Sequence, residues 1–219
     1  MRGVAAVRRV DLVDIISVAT FLVLIAMSVI AYVEDVRLNY QVNTGLFSAF
    51  FCLLPMLLKR ARLITFPLPL VLMIEASIFL HGYGVLLLKY DYIMAWDTVT
   101  HTISSVTIAI CIFVVLLIVN EVNEDVEMTP GFLAVATVVI MMAFGAVWEV
   151  FELFADSMWG LNMQYSPWDT VRDLASDLAG SVAVAVPAYF YVKKHGYDGI
   201  VERLRLSPKL ARLVAFASG

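Results

Sequence analysis

Apolar blocks of about 20 residues recur along this chain, and a block of that length is what one helix needs to cross a bilayer. About six fit the sequence, at residues 13–33, 44–58, 66–88, 97–119, 130–154 and 167–192. The fold class expected is therefore all-α: a polytopic transmembrane helical bundle making one integral membrane domain across residues 1–219. Composition supports this. The chain is 62% hydrophobic and 16% charged, where soluble domains run near ~45–50% and ~25%. Arg8 and Arg9 precede the first block as in a signal peptide, but the block is long and no small-residue cleavage site follows, so a retained span is expected.

Local signals mark the ends of the blocks. Pro67 and Pro69 fall where a first helical turn tolerates proline, Thr129 is placed to cap a helix starting at Pro130, and Ser166 to cap one starting at Pro167. Pro187 is a candidate kink. Residues 196–219 mix Ile200, Val201, Leu204 and Leu210 with basic residues, which predicts a cytoplasmic amphipathic helix lying on the membrane surface. Most lysines and arginines, among them Lys59, Arg60, Lys193 and Lys194, fall on one side of a six-span topology. The positive-inside rule then puts both termini of a multi-pass cell-membrane protein in the cytoplasm. The basic residues form short groups at span ends, so no nucleic-acid partner is expected; membrane lipids are, and a homo-oligomer is compatible. Cys52 and Cys111 have no metal-ligand spacing and predict no disulfide.

The ionisable residues are not scattered. Ionisable groups within spans are costly, and by default they point to function. The topology sends His81, Asp97, His101, Glu149, Glu152, Asp156, Asp169, Arg172, Asp173 and Asp177 to the same third of the membrane. Asp97 and His101 are four apart, Glu149 and Glu152 three apart, and Asp169, Asp173 and Asp177 step by four, so three helices each present a stripe of ligands. Asp177 would lie about 12 Å deeper than Asp169. Seven carboxylates face Arg172 and two histidines, and like charges at low dielectric cannot all stay ionised alone. Protonation or a cation must resolve the excess. Carboxylates favour Mg, Mn or Ca, and histidine admits Zn.

Structural roles compete for some of these residues. Asp169 follows Ser166 by three and fits a capping box, Asp97 fits a first-turn acid, and Asp156 fits a solvated span end. Arg172 is spaced to pair with Asp169 or Asp173. Glu75 stands alone within its span, as a partner for a cluster histidine or a separate protonated acid. Trp96, Trp148, Trp159 and Trp168 fit an interfacial aromatic belt.

The motif order His81-Gly82, Trp-Asp-Thr-Val-Thr-His (Asp97, His101), Trp-Glu-Val-Phe-Glu (Glu149, Glu152) and Trp-Asp-Thr-Val-Arg-Asp-Leu-Ala-Ser-Asp (Asp169 to Asp177) resembles the YjdF-like inner-membrane proteins over about residues 78–190. That family usually has tyrosine before the aspartate of the fourth span; here it is Trp96, and the ligand pattern is intact. A looser likeness is to VanZ-like membrane proteins. The resemblance implies that the acidic and histidine positions belong to one site.

From the residues, the expected function is a metal-dependent hydrolase or transferase acting on a lipid or lipid-linked substrate. Its metal ligands would come from Asp97, His101, Glu149, Glu152, Asp173 and Asp177. Glu152 would serve as general base and Arg172 would steady a phosphate. The alternative is a cation- or proton-coupled transporter, or an ion-binding membrane protein, using the same carboxylates.

Overall fold

Helix starts follow the chemistry of their caps. Asp11 accepts from the amides of Val13 (3.0 Å) and Asp14 (3.2 Å), Asp14 reaches back to the Asp11 amide (3.4 Å), and this capping box opens α1 (Leu12–Val33). Pro55 has no amide proton to give, so the second apolar stretch breaks at Leu53 into α2 (Leu38–Cys52) and α3 (Leu54–Arg60). Pro67 and Pro69 open α4 (Leu68–Leu86). A short helix, α5 (Lys89–Tyr92), follows Leu88, whose φ of 54° lies in the left-handed region that L side chains seldom adopt. Next come α6 (Ala95–Val122), α7 (Pro130–Trp159) and α8 (Pro167–His195). Thr129 caps α7 through the Phe132 amide at 3.2 Å, as expected. Ser166 does not cap α8 with its side chain. Its loop is tied instead by Asp169, which accepts from the Tyr165 amide at 3.0 Å.

The computed structural model describes residues 10–34, 38–93, 95–123, 125–197, 207–208 and 210–212, and among these all regular structure is helical. Six stretches are long and apolar enough to cross a membrane: Leu12–Val33, Tyr40–Arg60, Leu68–Leu86, Ala95–Val122, Pro130–Trp159 and Pro167–His195. They match the expected spans in number and order. The span from Pro130 runs past the expected residue 154, because Gly160, at φ 65°, provides the first left-handed stop. Most of the expected surface helix lies outside the described residues. Of that segment, Ser207 donates its amide to the Leu63 carbonyl (3.1 Å), and Leu210 packs on Ile64, Val114 and Ile118.

The spans pack as two triplets. The helices α1, α2 and α4 surround Leu24, Ala49, Cys52 and Leu86. In the other triplet α8 lies against both α6 and α7, with Phe113, Leu117, Leu133 and Val192 closing one end. The main contact between triplets is α4 on α6, which includes a Ser77–Ser104 hydroxyl pair at 2.9 Å. The closed end carries the basic residues Lys193 and Lys194, and the acidic cluster gathers at the opposite end of the same helices.

Glu75 belongs to the first triplet, away from the cluster histidines. It is 2% exposed, and its carboxyl oxygens meet the hydroxyls of Ser17 and Thr20 on α1, each at 2.6 Å. An unsatisfied buried carboxyl is costly, so these hydroxyls hold α1 to α4. Ser17→Ala is expected to lower stability by about 1–3 kcal/mol in detergent unfolding; an unchanged midpoint would show that the carboxyl has no need of that partner.

At the basic end Lys59 binds Asp11 (2.5 Å) and Asp14 (2.6 Å). The hydrogen bond from Lys59 holds the Asp11 carboxyl below the usual aspartate value. A depressed folded value means that this contribution is complete above the ordinary aspartate range and is lost as pH falls through the folded value. Asp11→Asn keeps a capping oxygen and removes the charge, so its melting temperature should fall less steeply with acid than the parent's.

Candidate metal centre

The close approach of α6 and α8 builds the site. A Cβ on Gly180 would lie 2.8 Å from the Ser105 Cβ and 3.2 Å from the Val106 amide nitrogen, so only glycine lets these helices touch here. One turn or two away, Asp97 and His101 on α6 face Asp173 on α8, and one donor atom from each lies within 4.8 Å of the others. Two ligands on one ion can be at most two bond lengths apart, about 4.0–4.2 Å for magnesium and about 4.6–5.2 Å for calcium. Two carboxylates and an imidazole at this spacing can close on a divalent cation with side-chain movements of less than an ångström.

The surroundings are acidic and largely buried. Each ring nitrogen of His101 lies 3.7 Å from a carboxylate, Nε2 from Asp97 and Nδ1 from Asp177. Asp177 also accepts from the Ser105 hydroxyl, and its other oxygen fills the space where a Cβ on Gly145 of α7 would stand. Glu152 is 8% exposed and accepts from the Trp148 indole at 2.9 Å. Glu149 is 5% exposed, and neither of its oxygens has a hydrogen-bond partner. The Thr170 hydroxyl lies toward it without completing a bond, while accepting from the Gln164 amide at 2.5 Å. A carboxyl buried without partners is among the least stable arrangements a folded chain can hold, and a proton or a cation relieves it.

A second chain of contacts covers the cluster. Tyr90 of α5 donates to the Thr100 hydroxyl (3.1 Å), which donates to the Asp97 carbonyl (2.9 Å). The phenol has one proton, so His81 Nδ1, 3.0 Å from Tyr90, must be the donor of that pair. Burial pushes the Tyr90 phenol above its ordinary range, which keeps it a donor. His81 also meets the Trp148 ring edge to face at 6.3 Å. Beneath this cover is a chamber of about 250 Å³, lined by Asp97, His101, Ser105, Glu152 and Asp177 and, further in, by Ile108, Met141 and Phe144. His81, Tyr90, Asp97 and Glu152 also line an outer vestibule of about 870 Å³.

A family profile described as predicted membrane protein (DUF2238) matches residues 16–194. The chain belongs to that family. The match carries the YjdF-like likeness and reaches all six spans, the Glu75 triplet included; the likeness to VanZ-like proteins is not shown. No curated protein and no solved structure matches the chain.

In this DUF2238 member the expected ligands divide. Asp97, His101 and Asp173 converge, Asp177 and Glu152 line the adjoining chamber, and Glu149 is buried without a partner. Arg172 binds Asp169 at 2.8 Å, is 45% exposed and lines neither cavity. Asp156 is no free span end: it accepts from the amides of Met163 (2.8 Å) and Gln164 (2.9 Å) and organises the α7–α8 loop. Trp159 and Trp168 are exposed as belt residues would be, whereas Trp148 belongs to the site and Trp96 packs against Gly84 and Tyr83. Ser105, four residues beyond His101, continues a readable stripe. Tyr90 lies on a four-residue helix and carries no periodic signal.

Gly145→Ala should leave the helices in place, because the group it meets is the Asp177 side chain, and should displace that carboxylate. We expect cation affinity to fall about 10–100-fold, as it does when outer ligand contacts are lost. Gly131→Ala, with open space around it, should bind as the parent does. Titration calorimetry with manganese compares the two, and equal affinities would detach Asp177 from the site.

Proposed function

We propose that this membrane protein holds a divalent cation on Asp97, His101 and Asp173 and acts on a lipid or lipid-linked substrate as a hydrolase or transferase. The observation that carries the reading is the convergence of these three donors from two helices. The partnerless Glu149 carboxyl, buried among the same helices, supports it. Under the positive-inside rule the cluster faces outward, since Lys59, Arg60, Lys193 and Lys194 occupy the opposite ends of their helices.

A bound cation would polarise a phosphoryl oxygen or make a water more acidic. The chain's own residues supply the rest. Glu152, held by Trp148 at the chamber wall, would take a proton from an attacking water or hydroxyl. Arg172 reaches a phosphate only by exchanging Asp169 for it. Ile108, Met141 and Phe144 keep the inner chamber apolar, which strengthens charge interactions at its mouth. The packed Phe113, Leu117, Leu133 and Val192 close the end beyond the chamber, which argues against transport through this triplet.

Elemental analysis of detergent-purified protein tests this directly. Near-stoichiometric metal in the parent, lost in a Glu149→Ala, Asp173→Ala double variant of normal folding, is the expected result. A parent that takes up none of magnesium, manganese, calcium or zinc would end the metal reading.

A further inference from the structure

The chamber is graded from polar to apolar along its length. On α6 its wall passes from Asp97 through His101 and Ser104 to Ile108, and on α7 from Glu152 through Trp148 to Phe144 and Met141. The α6 wall alone covers about 16 Å of helix rise. Its inner end is not sealed on every side: Phe144 is 57% exposed and Ile108 is 37% exposed, while Met141 is 3% exposed. The exposed faces of α6 and α7 therefore give the crevice an opening toward the bilayer.

The vestibule above has a different character. Tyr40, Tyr90, Tyr92 and Tyr165 line it together with Asp91, and Asp97 and Glu152 form its boundary with the chamber. No lysine or arginine lines either cavity among the described residues. Lys89, the nearest base in sequence, sets its ammonium over the Tyr83 ring at 6.0 Å. Burial and the neighbouring Asp91 and Asp97 push the Tyr165 phenol above its ordinary range, so that ring stays neutral and electron-rich. Carboxylates beside neutral aromatic faces favour an organic cation, ammonium above all. A cavity of about 870 Å³ has room for a headgroup, and one of about 250 Å³ for a length of chain but not for a whole lipid.

We propose that vestibule and crevice form one binding site for a membrane lipid with an ammonium headgroup, its amine among the tyrosines and acids and one acyl chain descending between α6 and α7. The phosphate of such a lipid lies between amine and chain, which is the level of Asp97, His101 and Asp173. The inference rests on the lipid-directed function proposed above and adds the headgroup class and the path of the chain.

The test uses the full chain in detergent and a phosphatidylethanolamine carrying a photoactivatable diazirine in one acyl chain, with labelled residues mapped by mass spectrometry. Met141 is reached only from inside the crevice, whereas Val139 and Val147, 60% and 68% exposed, are open to any detergent or lipid. Labelling at Met141 is expected. It should be displaced by unlabelled phosphatidylethanolamine, and not by phosphatidylglycerol of the same chains or by tetramethylammonium. Ile108→Trp should abolish it by filling the crevice, and Asp91→Asn should weaken it by about threefold to fivefold. Neither variant touches the metal donors, and bound metal measured on the same samples should be unchanged. Label confined to Val139 and Val147 would overturn the chain path. Equal displacement by phosphatidylglycerol would overturn the headgroup assignment, and displacement by tetramethylammonium would remove the chain from recognition. Label at Met141 in protein holding no metal would sink the metal reading and keep this one; metal without that label would do the reverse.

Discussion

Oxygen atoms held away from water govern the architecture at both ends of this protein. Charge is expensive at low dielectric, so each buried carboxyl must find donors, a proton or a cation. Glu75 finds two hydroxyls, and the result joins α1 to α4. Asp177 finds Ser105 and lies 3.7 Å from His101, and Glu152 finds the Trp148 indole. Glu149 finds nothing, although it is as deeply buried as the others. With no lysine or arginine lining the adjoining cavities among the described residues, that imbalance calls for a proton or a cation.

The two triplets divide the work. The first is a packed apolar unit that satisfies its own buried acids, Glu75 and Asp14, and it presents His81 to the second across α4. The second is dry and closed at its basic end and hollow at its acidic end. The short α5 helix, entered through the left-handed Leu88, carries Tyr90 over the hollow and ties it to both triplets through His81 and Thr100. Family membership over residues 16–194 covers both units. The first triplet is therefore part of the shared design and not an appendage to the site.

Glycine decides how tightly the helices close. At Gly180 the α6 and α8 backbones meet, and at Gly145 a carboxylate occupies the volume of the missing side chain. Both are positions where small residues let polar groups from neighbouring helices converge. A side chain at Gly180 would separate the α6 and α8 stripes, whereas one at Gly145 would displace the Asp177 carboxylate and leave the helices where they are.

Helical periodicity and hydropathy are local properties, and they were enough to define the six spans, their order and the end of the bundle at which the acids collect. The four-residue steps of Asp97–His101 and Asp169–Asp173–Asp177 were legible for the same reason: one turn of helix places those side chains on one face whatever surrounds it. Which faces meet is not local. Asp173 joined the donors while Arg172, beside it, turned to Asp169. Asp156 stapled a loop, Ser166 gave its helix no side-chain cap, and Trp148 bonded Glu152 at the chamber wall instead of standing in the belt. The Arg172–Asp169 and Trp148–Glu152 pairs each lie within one helix, where spacing allowed them without choosing them over their rivals. The meeting of Asp173 with Asp97 and His101 depends on the rotation and approach of α6 and α8, which residues far apart in the chain set together, and so only the tertiary structure decided it.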